Sequence, residues 1–518
     1  MWLEMDVKHR TPRSRTSSMG SDEDDESRQP LLVNDDTEDP GVVDADSMRF
    51  FTVEDAVEWV GFGRFQVMII FFEGAFSISN AMAVMMIAVL APVLRCEWWL
   101  ENWQVALFTT MMFAGMLVFS VPFGSVADTY GRWPALWMVA FGMLCFNLLT
   151  AFSPNYYWVV ILRTMLGVTF AGAPQMDTLL LEFMPSKYRA KAYLIYAVFW
   201  SLGGTGAILL AYAVVPRLGW RYLIVFSCIP AFFVLVFFKA LPESVRYYMA
   251  AGKRIKALQV LERMARLNRT TLPPGKLVKS SEAPRGTMKE LFKRKHLRTL
   301  IQDIILWCGA GALYYGIVLV SSEIMESKAS CTGSAVPGSS DAIPCSCKPL
   351  TSKDYISMIV STYGEFIQIP INLFLVDLIG RKLTMTLNLA LVCAFFLLLN
   401  LCVSTAWTTF FLFGVRAFIS GTFGMVYLYT AEYFPTNVRA LAIGTCSTVA
   451  RVGAMTTPFI AQVLLNYSLS MALYVYGGLA GFCCLVALLL PQDTMGRKLQ
   501  DDVQVVSTDT QQRREEAA

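Results

Sequence analysis

The chain has 518 residues, of which 55% are hydrophobic and only 16% are charged. Soluble chains carry about a quarter charged residues, so this composition excludes an ordinary soluble globular protein. The net charge of +3 points to no nucleic-acid partner. What remains is an all-α membrane protein, read below from its first residue to its last.

Residues 1–50 are polar and hold the acidic run SDEDDES, Ser21 to Ser27. They bury too little apolar surface to fold alone and are predicted to form a disordered cytosolic tail without a cleavable signal peptide. SRQPLL within it resembles an acidic dileucine signal, with Leu31 and Leu32 offered to a sorting adaptor. Glu26 stands one place further out than usual, and phosphorylation of Ser27 would supply charge in register.

A helical crossing takes about 20 apolar residues. Six such windows run over residues 65–94, 103–127, 134–152, 158–184, 192–215 and 222–241. Six more run over 300–324, 355–376, 383–403, 407–434, 441–465 and 468–490. We call them spans 1 to 12. They divide the chain into a first half (51–241), a basic cytosolic central loop (242–299), a second half (300–490) and a C-terminal cytosolic tail (491–518).

The central loop carries GKRIKAL, LERMARLNR and LFKRKHLR. ALQVLERMARL has the spacing of an amphipathic surface helix. The loops at GRW, SKYRAK, GRKL and NVRA are basic too, all on one side if the spans alternate. The positive-inside rule then puts both termini and the central loop in the cytosol. On the opposite side lie Cys96, Cys331, Cys345 and Cys347, an even set that suggests disulfides of undetermined pairing. A metal site at Cys345 and Cys347 has no histidine nearby to support it. Asn268 and Asn466 head glycosylation-type triplets, but the first faces the cytosol and the second hugs the membrane.

Three signals repeat. DTYGRW at Asp128 recurs as DLIGRK at Asp377, 249 residues later. EFMPSKYRA at Glu182 recurs as EYFPTNVRA at Glu432, 250 residues later. LPESV at Leu241 recurs as LPQDT at Leu490, 249 residues later. Each follows an even-numbered span. Duplicated six-helix halves are a transporter architecture.

The motif G-x-x-x-D-x-x-G-R (Gly124, Asp128, Gly131, Arg132), the paired E-x-x-P-x-x-x-R stretches and the Pro-Glu-Ser after span 6 resemble the major facilitator superfamily, near its sugar-porter and organic-ion branches. VEDAVEWVGFGRFQ, CEWWLENWQVAL, FGVRAF and TAEYFPTNVRA are most similar to its synaptic vesicle 2-related group. The resemblance covers residues 51–499. It implies twelve transmembrane helices in two pseudo-symmetric halves, the major facilitator fold, and a cavity partly lined by span 7, where Tyr314 and Tyr315 stand.

Asp128, Arg132, Glu182, Arg189 and Glu243 would then gather at the cytosolic helix ends of the first half. Asp377, Arg381, Glu432, Arg439 and Asp493 are their counterparts. Arginine forks pair carboxylates bidentately, so we expect a ring of pairs across the two halves, a latch that opens as the halves tilt. This chain departs from the family pattern at Thr129, Trp133, Leu373 and Gln492, and the second-half latch is expected to be weaker.

Charges inside membrane spans are costly unless paired or hydrated. Glu73 and Asn80 lie seven residues apart on one face of span 1. Relatives carry an acid where Asn80 stands, so Glu73 is the candidate substitute as proton acceptor. Gln175 and Asp177 in span 4 and Glu365 in span 8 complete the binding candidates, with Asp303 at the start of span 7. Arg163, Arg416 and Arg451 are the cations among the spans, and the first two could also be satisfied by helix carbonyls.

The chain thus reads as a secondary active transporter of a small, charged organic solute, coupled to a proton or another ion and working by alternating access in membrane lipid. The second reading is a receptor or vesicle scaffold that keeps the transporter fold without moving solute. An enzyme is disfavoured because no nucleophile–base set or metal cluster appears, a pump because no phosphate loop appears, and no cofactor is expected. The membrane is read as vesicular, endolysosomal or plasma.

Overall fold

The computed structural model of the chain describes residues 50–278, 288–328 and 350–494. Leu31, Leu32, Cys331, Cys345 and Cys347 lie outside them. Cys96 closes span 1, half-buried.

Among the described residues ten helices are long and apolar enough to cross a bilayer. Two further crossings are hidden in that count. Ser352–Leu398 is 47 residues long. At 1.5 Å per residue it would measure about 70 Å, more than twice a hydrocarbon core. It turns at Gly380, whose φ of 82° and ψ of 175° are not helical, so it carries both span 8 and span 9. Span 11 is Thr436–Pro458, continued by a π-helical turn over Phe459–Leu464 and by Leu465–Tyr467. Its threonines, Ser447 and two arginines lower its hydropathy. The twelve expected spans are therefore all present.

The local breaks follow the chemistry of proline. Span 4 is split into Tyr156–Phe170 and Pro174–Glu182, because Pro174 has no N–H to continue the ladder. Span 6 is split into Trp220–Ser227 and Ile229–Val236, just ahead of Pro230. Spans 1 and 7 form the centre: 89% and 78% of their most apolar windows are buried, against 39% for span 6. Span 6 instead turns Phe232, Phe233 and Phe237 outward, as a lipid-facing helix should. The halves meet where spans 1 and 7, 2 and 11, and 5 and 8 pack together.

The segments flanking the first half fold back onto it. A helix missed in the sequence, Val53–Val60, is started by a capping box between Thr52 and Asp55. Glu58 accepts from the Ser186 amide at 2.5 Å, capping span 5, and that amide holds the Glu58 carboxyl below the usual carboxylate range. The expected amphipathic helix is Arg254–Asn268. Its last residue is a clamp: Asn268 donates to the Gly61 carbonyl and to Gln66 Oε1, and accepts from the Phe65 amide. Gln66 then donates to the Phe183 carbonyl at the foot of span 4. Phe50–Phe51 pairs with Lys276–Leu277 as a parallel two-stranded ladder. The Asn268 amide is thus consumed by structure.

The repeated G-R pairs mark two equivalent elbows, on what we call the motif face. Span 2 (Asn102–Tyr130) ends at Gly131, φ 105°, and span 3 starts at Arg132. The Glu243 carboxylate accepts from the amides of Arg132 (2.9 Å) and Trp133 (3.1 Å). Asp493 does the same for Arg381 and Lys382, both at 3.2 Å. Free amides and the helix dipole make such an end an anion seat. Burial nevertheless pushes the Glu243 carboxyl above its ordinary range, against the pull of the amides. A Cβ on Gly131 would run into the Glu243 carboxylate and one on Gly380 into that of Asp493, in a positive-φ, extended-ψ backbone region costing an L-residue about 1–3 kcal/mol. We therefore expect Gly131→Ala and Gly380→Ala to lower the Tm of the detergent-solubilised protein by several degrees. Gly124→Ala, whose Cβ would meet nothing within 4 Å, should leave it in place. Equal melting of all three would refute this account of the elbows.

Candidate functional site

Three polar clusters are stacked through the bundle. The first is the pair of motif-face clusters. Arg132 pairs with Glu182 at 2.6 Å, and Glu182 accepts from Ser244 Oγ at 2.6 Å. Arg381 pairs with Glu432 at 3.0 Å through both Nε and Nη2, and Glu432 accepts from Thr494 Oγ1 at 2.5 Å. Arg189 Nε caps the Met184 carbonyl and Arg439 Nε caps the Phe434 carbonyl. Each first-half contact has its second-half copy.

This corrects the expected latch for Arg132, Glu182, Arg381 and Glu432. Among the described residues the ion pairs of Arg132, Glu182, Arg381 and Glu432 close within a half and not between halves. They weld the elbow between two spans to the end of the next even-numbered span. Asp128 and Asp377 stand a turn before the elbows and are exposed. The motif-face cluster of the second half is also not eroded by Gln492. Asp493 and Thr494 stand 250 residues after Glu243 and Ser244 and take over their bonds. One extra residue after the proline compensates for the shorter aspartate. A cleft of about 440 Å³ opens beside the first cluster, between Trp133, Glu243, Tyr248 and Lys253.

The second cluster lies in mid-bundle and crosses the halves. Arg416 Nε bonds Glu365 Oε1 at 2.9 Å, with both side chains almost fully buried. Tyr314 OH reaches the same oxygen at 3.3 Å, and Ser201 Oγ of span 5 reaches the other at 3.1 Å. Trp200 Nε1 donates to Tyr314 OH at 2.7 Å. Arg416 Nη2 also touches Met85 Sδ of span 1 at 3.2 Å. One ion pair is thus held by three second-half spans and two first-half spans. Tyr315 turns to Phe113 of span 2, with ring centroids 4.7 Å apart. Arg416 is therefore paired with an acid and not with a carbonyl. Arg163 meets the carbonyl expectation only in part: Nη1 donates to Ala83 O at 3.3 Å, while Nε and Nη2 are buried with no partner.

Glu73 and Asp177 come together in the first half. Their carboxyls face each other between spans 1 and 4. Glu73 Oε2 is buried and has no partner. Asn80 Oδ1, two turns along the same face of span 1, is likewise buried without one. Gln175 is half-buried at the start of the same short helix as Asp177.

The third cluster was not found in the sequence. Arg95, at the end of span 1, makes a two-pronged bridge to Glu323 of span 7, at 3.1 and 2.6 Å. Glu323 is only 4% exposed. The bridge joins the halves at the face opposite the motifs. Arg95 falls just past the window of span 1 and Glu323 is the last residue but one in that of span 7, where a charge reads as an ordinary helix end. Trp200 and Ser201 were missed because a lone Trp or Ser in an apolar run carries no signal.

The sequence model described as sugar (and other) transporter matches residues 63–503. SVOPL of Homo sapiens is 43% identical over 461 residues, 87% of this chain and 94% of that protein. Synaptic vesicle 2-related protein of Rattus norvegicus is 42% identical over 459 residues, 87% of this chain and 82% of that protein. The inward-open structure of the xylose transporter XylE from E. coli shares the fold, with a TM-score of 0.63 at 15% identity over 84% of this chain and 98% of that chain. With the twelve spans and the duplicated clusters, these matches show that the chain belongs to the sugar (and other) transporter family of the major facilitator superfamily, whose members are membrane transporters and not enzymes.

Proposed function

We propose that the chain is a secondary active transporter that carries a small, charged organic solute by rocking its two halves about the mid-bundle cluster. The observation that carries this reading is the placement of inter-half bonds. Among the described residues, Arg95–Glu323 ties the halves at one face, while on the motif face the ion pairs Arg132–Glu182 and Arg381–Glu432 each close within one half. Alternating access needs two states a few kcal/mol apart, and a bidentate pair at one mouth has about that size. The welded clusters keep each half rigid as it tilts.

The positive-inside rule supports the motif face as the cytosolic one, which makes residues 51–241 and 300–490 the moving halves and the Arg95–Glu323 mouth the outer one. Acids at Glu73 and Glu365, both buried, and at Asp177, half-buried, with Tyr314 beside Glu365, support a site for a cationic or zwitterionic solute. The facing carboxyls of Glu73 and Asp177 support proton coupling, because two neighbouring acids disfavour both being charged. SRQPLL and the vesicle in a relative's name support vesicular sorting through Leu31 and Leu32.

Arg95→Ala should loosen the outer mouth. A cysteine placed at Ser322, which is 4% exposed, is then expected to label faster from that side than in the parent chain. Arg95→Glu with Glu323→Arg should restore slow labelling; equal rates in all forms would end the gate assignment. In proteoliposomes tested across charged organic solutes, Glu73→Gln and Asp177→Asn should each abolish pH-driven uptake and spare solute exchange. Unchanged pH dependence would retire the coupling pair. Solute binding without uptake for every solute would favour the scaffold reading.

A further inference from the structure

Span 7 buries an acid that neither the ion pairs nor the mid-bundle cluster uses. Asp303 is fully buried. Thr430 Oγ1 of span 10 lies 2.7 Å from Asp303 Oδ2, and Cys446 Sγ of span 11 lies 3.7 Å from it. Asp303 Oδ1 is buried with no partner. Among the described residues no cation pairs with it, and Cys446 is the ionisable group that faces it. A lone carboxylate costs several kcal/mol in such a place; a proton removes that cost.

The neighbours supply a path. His296, Thr299 and Asp303 follow at intervals of three and four, along one face of span 7. Thr299 Oγ1 donates to Tyr433 OH at 2.9 Å. The His296 ring stands edge-on to Tyr433, with centroids 6.2 Å apart, at the motif-face end of the helix. One turn deeper on span 10 stands Thr430, which also accepts from Trp307 Nε1 at 2.9 Å. Thr430 Oγ1 is 2.7 Å from the Val426 carbonyl as well as from Asp303. Its single hydroxyl proton can serve either one. When Asp303 is charged, Thr430 donates to it. When Asp303 is protonated, the carboxyl donates to Thr430, whose hydroxyl swings to Val426. Both states are satisfied by one torsion.

We propose that Asp303 is a second proton-binding site, loaded from the motif face along His296, Thr299, Tyr433 and Thr430. It is the second-half counterpart of the Glu73 site: Asp303 follows Glu73 by 230 residues, where Glu323 follows Arg95 by 228. Its use in transport rests on the reading above, but its titration does not.

Infrared spectra of the full chain in lipid nanodiscs, at stepped pH, test this. A protonated-carboxyl band is expected to fade as pH rises, to vanish in Asp303→Asn and to survive in Glu73→Gln. Asp303→Glu should shift the band and not remove it, which covers the case in which the asparagine variant does not fold. Thr430→Val removes a donor to the charged form and should move the midpoint to higher pH. His296→Gln should slow deuterium exchange of the band. A band identical in Asp303→Asn, or one that never titrates in the folded protein, overturns the site. So does sodium raising the Tm of the parent chain but not of Asp303→Asn, with no such band at any pH.

Discussion

A carboxylate resting on the open amides of a helix start holds each half in shape. Glu243 and Asp493 arrive from chain that follows the last span of their half and land on the elbow between its second and third spans. That contact closes six helices into one body. Glycine at the elbow is a steric demand, because the carboxylate occupies the space a Cβ would take. The arginine after the glycine reaches the end of the fourth or tenth span, so the fastening involves three separate segments. A bundle in lipid has no hydrophobic drive between its helices, and rigid halves must be fastened by polar contacts of this kind.

The contacts between the halves are of a different kind. They are concentrated at mid-bundle and at the mouth opposite the motifs. Glu365 and Arg416 belong to the second half, yet Ser201, Trp200 and Met85 of the first half complete their shell. The buried ion pair itself need not break when the halves move. Only hydrogen bonds with uncharged partners, Ser201 and Met85, cross the divide to it, and a hydrogen bond to a charged group contributes about 1.5–3 kcal/mol. Charge pairing that stays inside each half at the motif face, with a few hydrogen bonds at mid-bundle and one ion pair at the opposite mouth between the halves, suits a moving pair of bodies.

Much of this was legible in the sequence. Apolar windows located twelve spans, although 8 and 9 run on as one helix and span 11 is too polar to pass a hydropathy threshold. The offset of 250 residues located the elbows and their partners. It could not tell whether repeated charges pair with their own half or with the other, because a duplication fixes equivalence and not proximity; Arg132 and Glu182 were therefore assigned to the wrong kind of contact. Arg95 and Glu323 were lost at window edges. Asp303 was noticed as an acid, but its surroundings are Thr430, Trp307 and Cys446, residues that look like ordinary packing until coordinates bring them together.

The ladder between Phe50–Phe51 and Lys276–Leu277, with the Asn268 clamp, has a mechanical consequence. It ties most of the long connection to the first half as far as Val278, whose amide still bonds Phe51 O. Met288–Leu291 already packs against span 11. Only nine residues separate these anchorages. The leash joining the two bodies is therefore at most about 35 Å at full stretch, far shorter than its sequence length suggests. The amplitude of any swing between them is bounded by that tether.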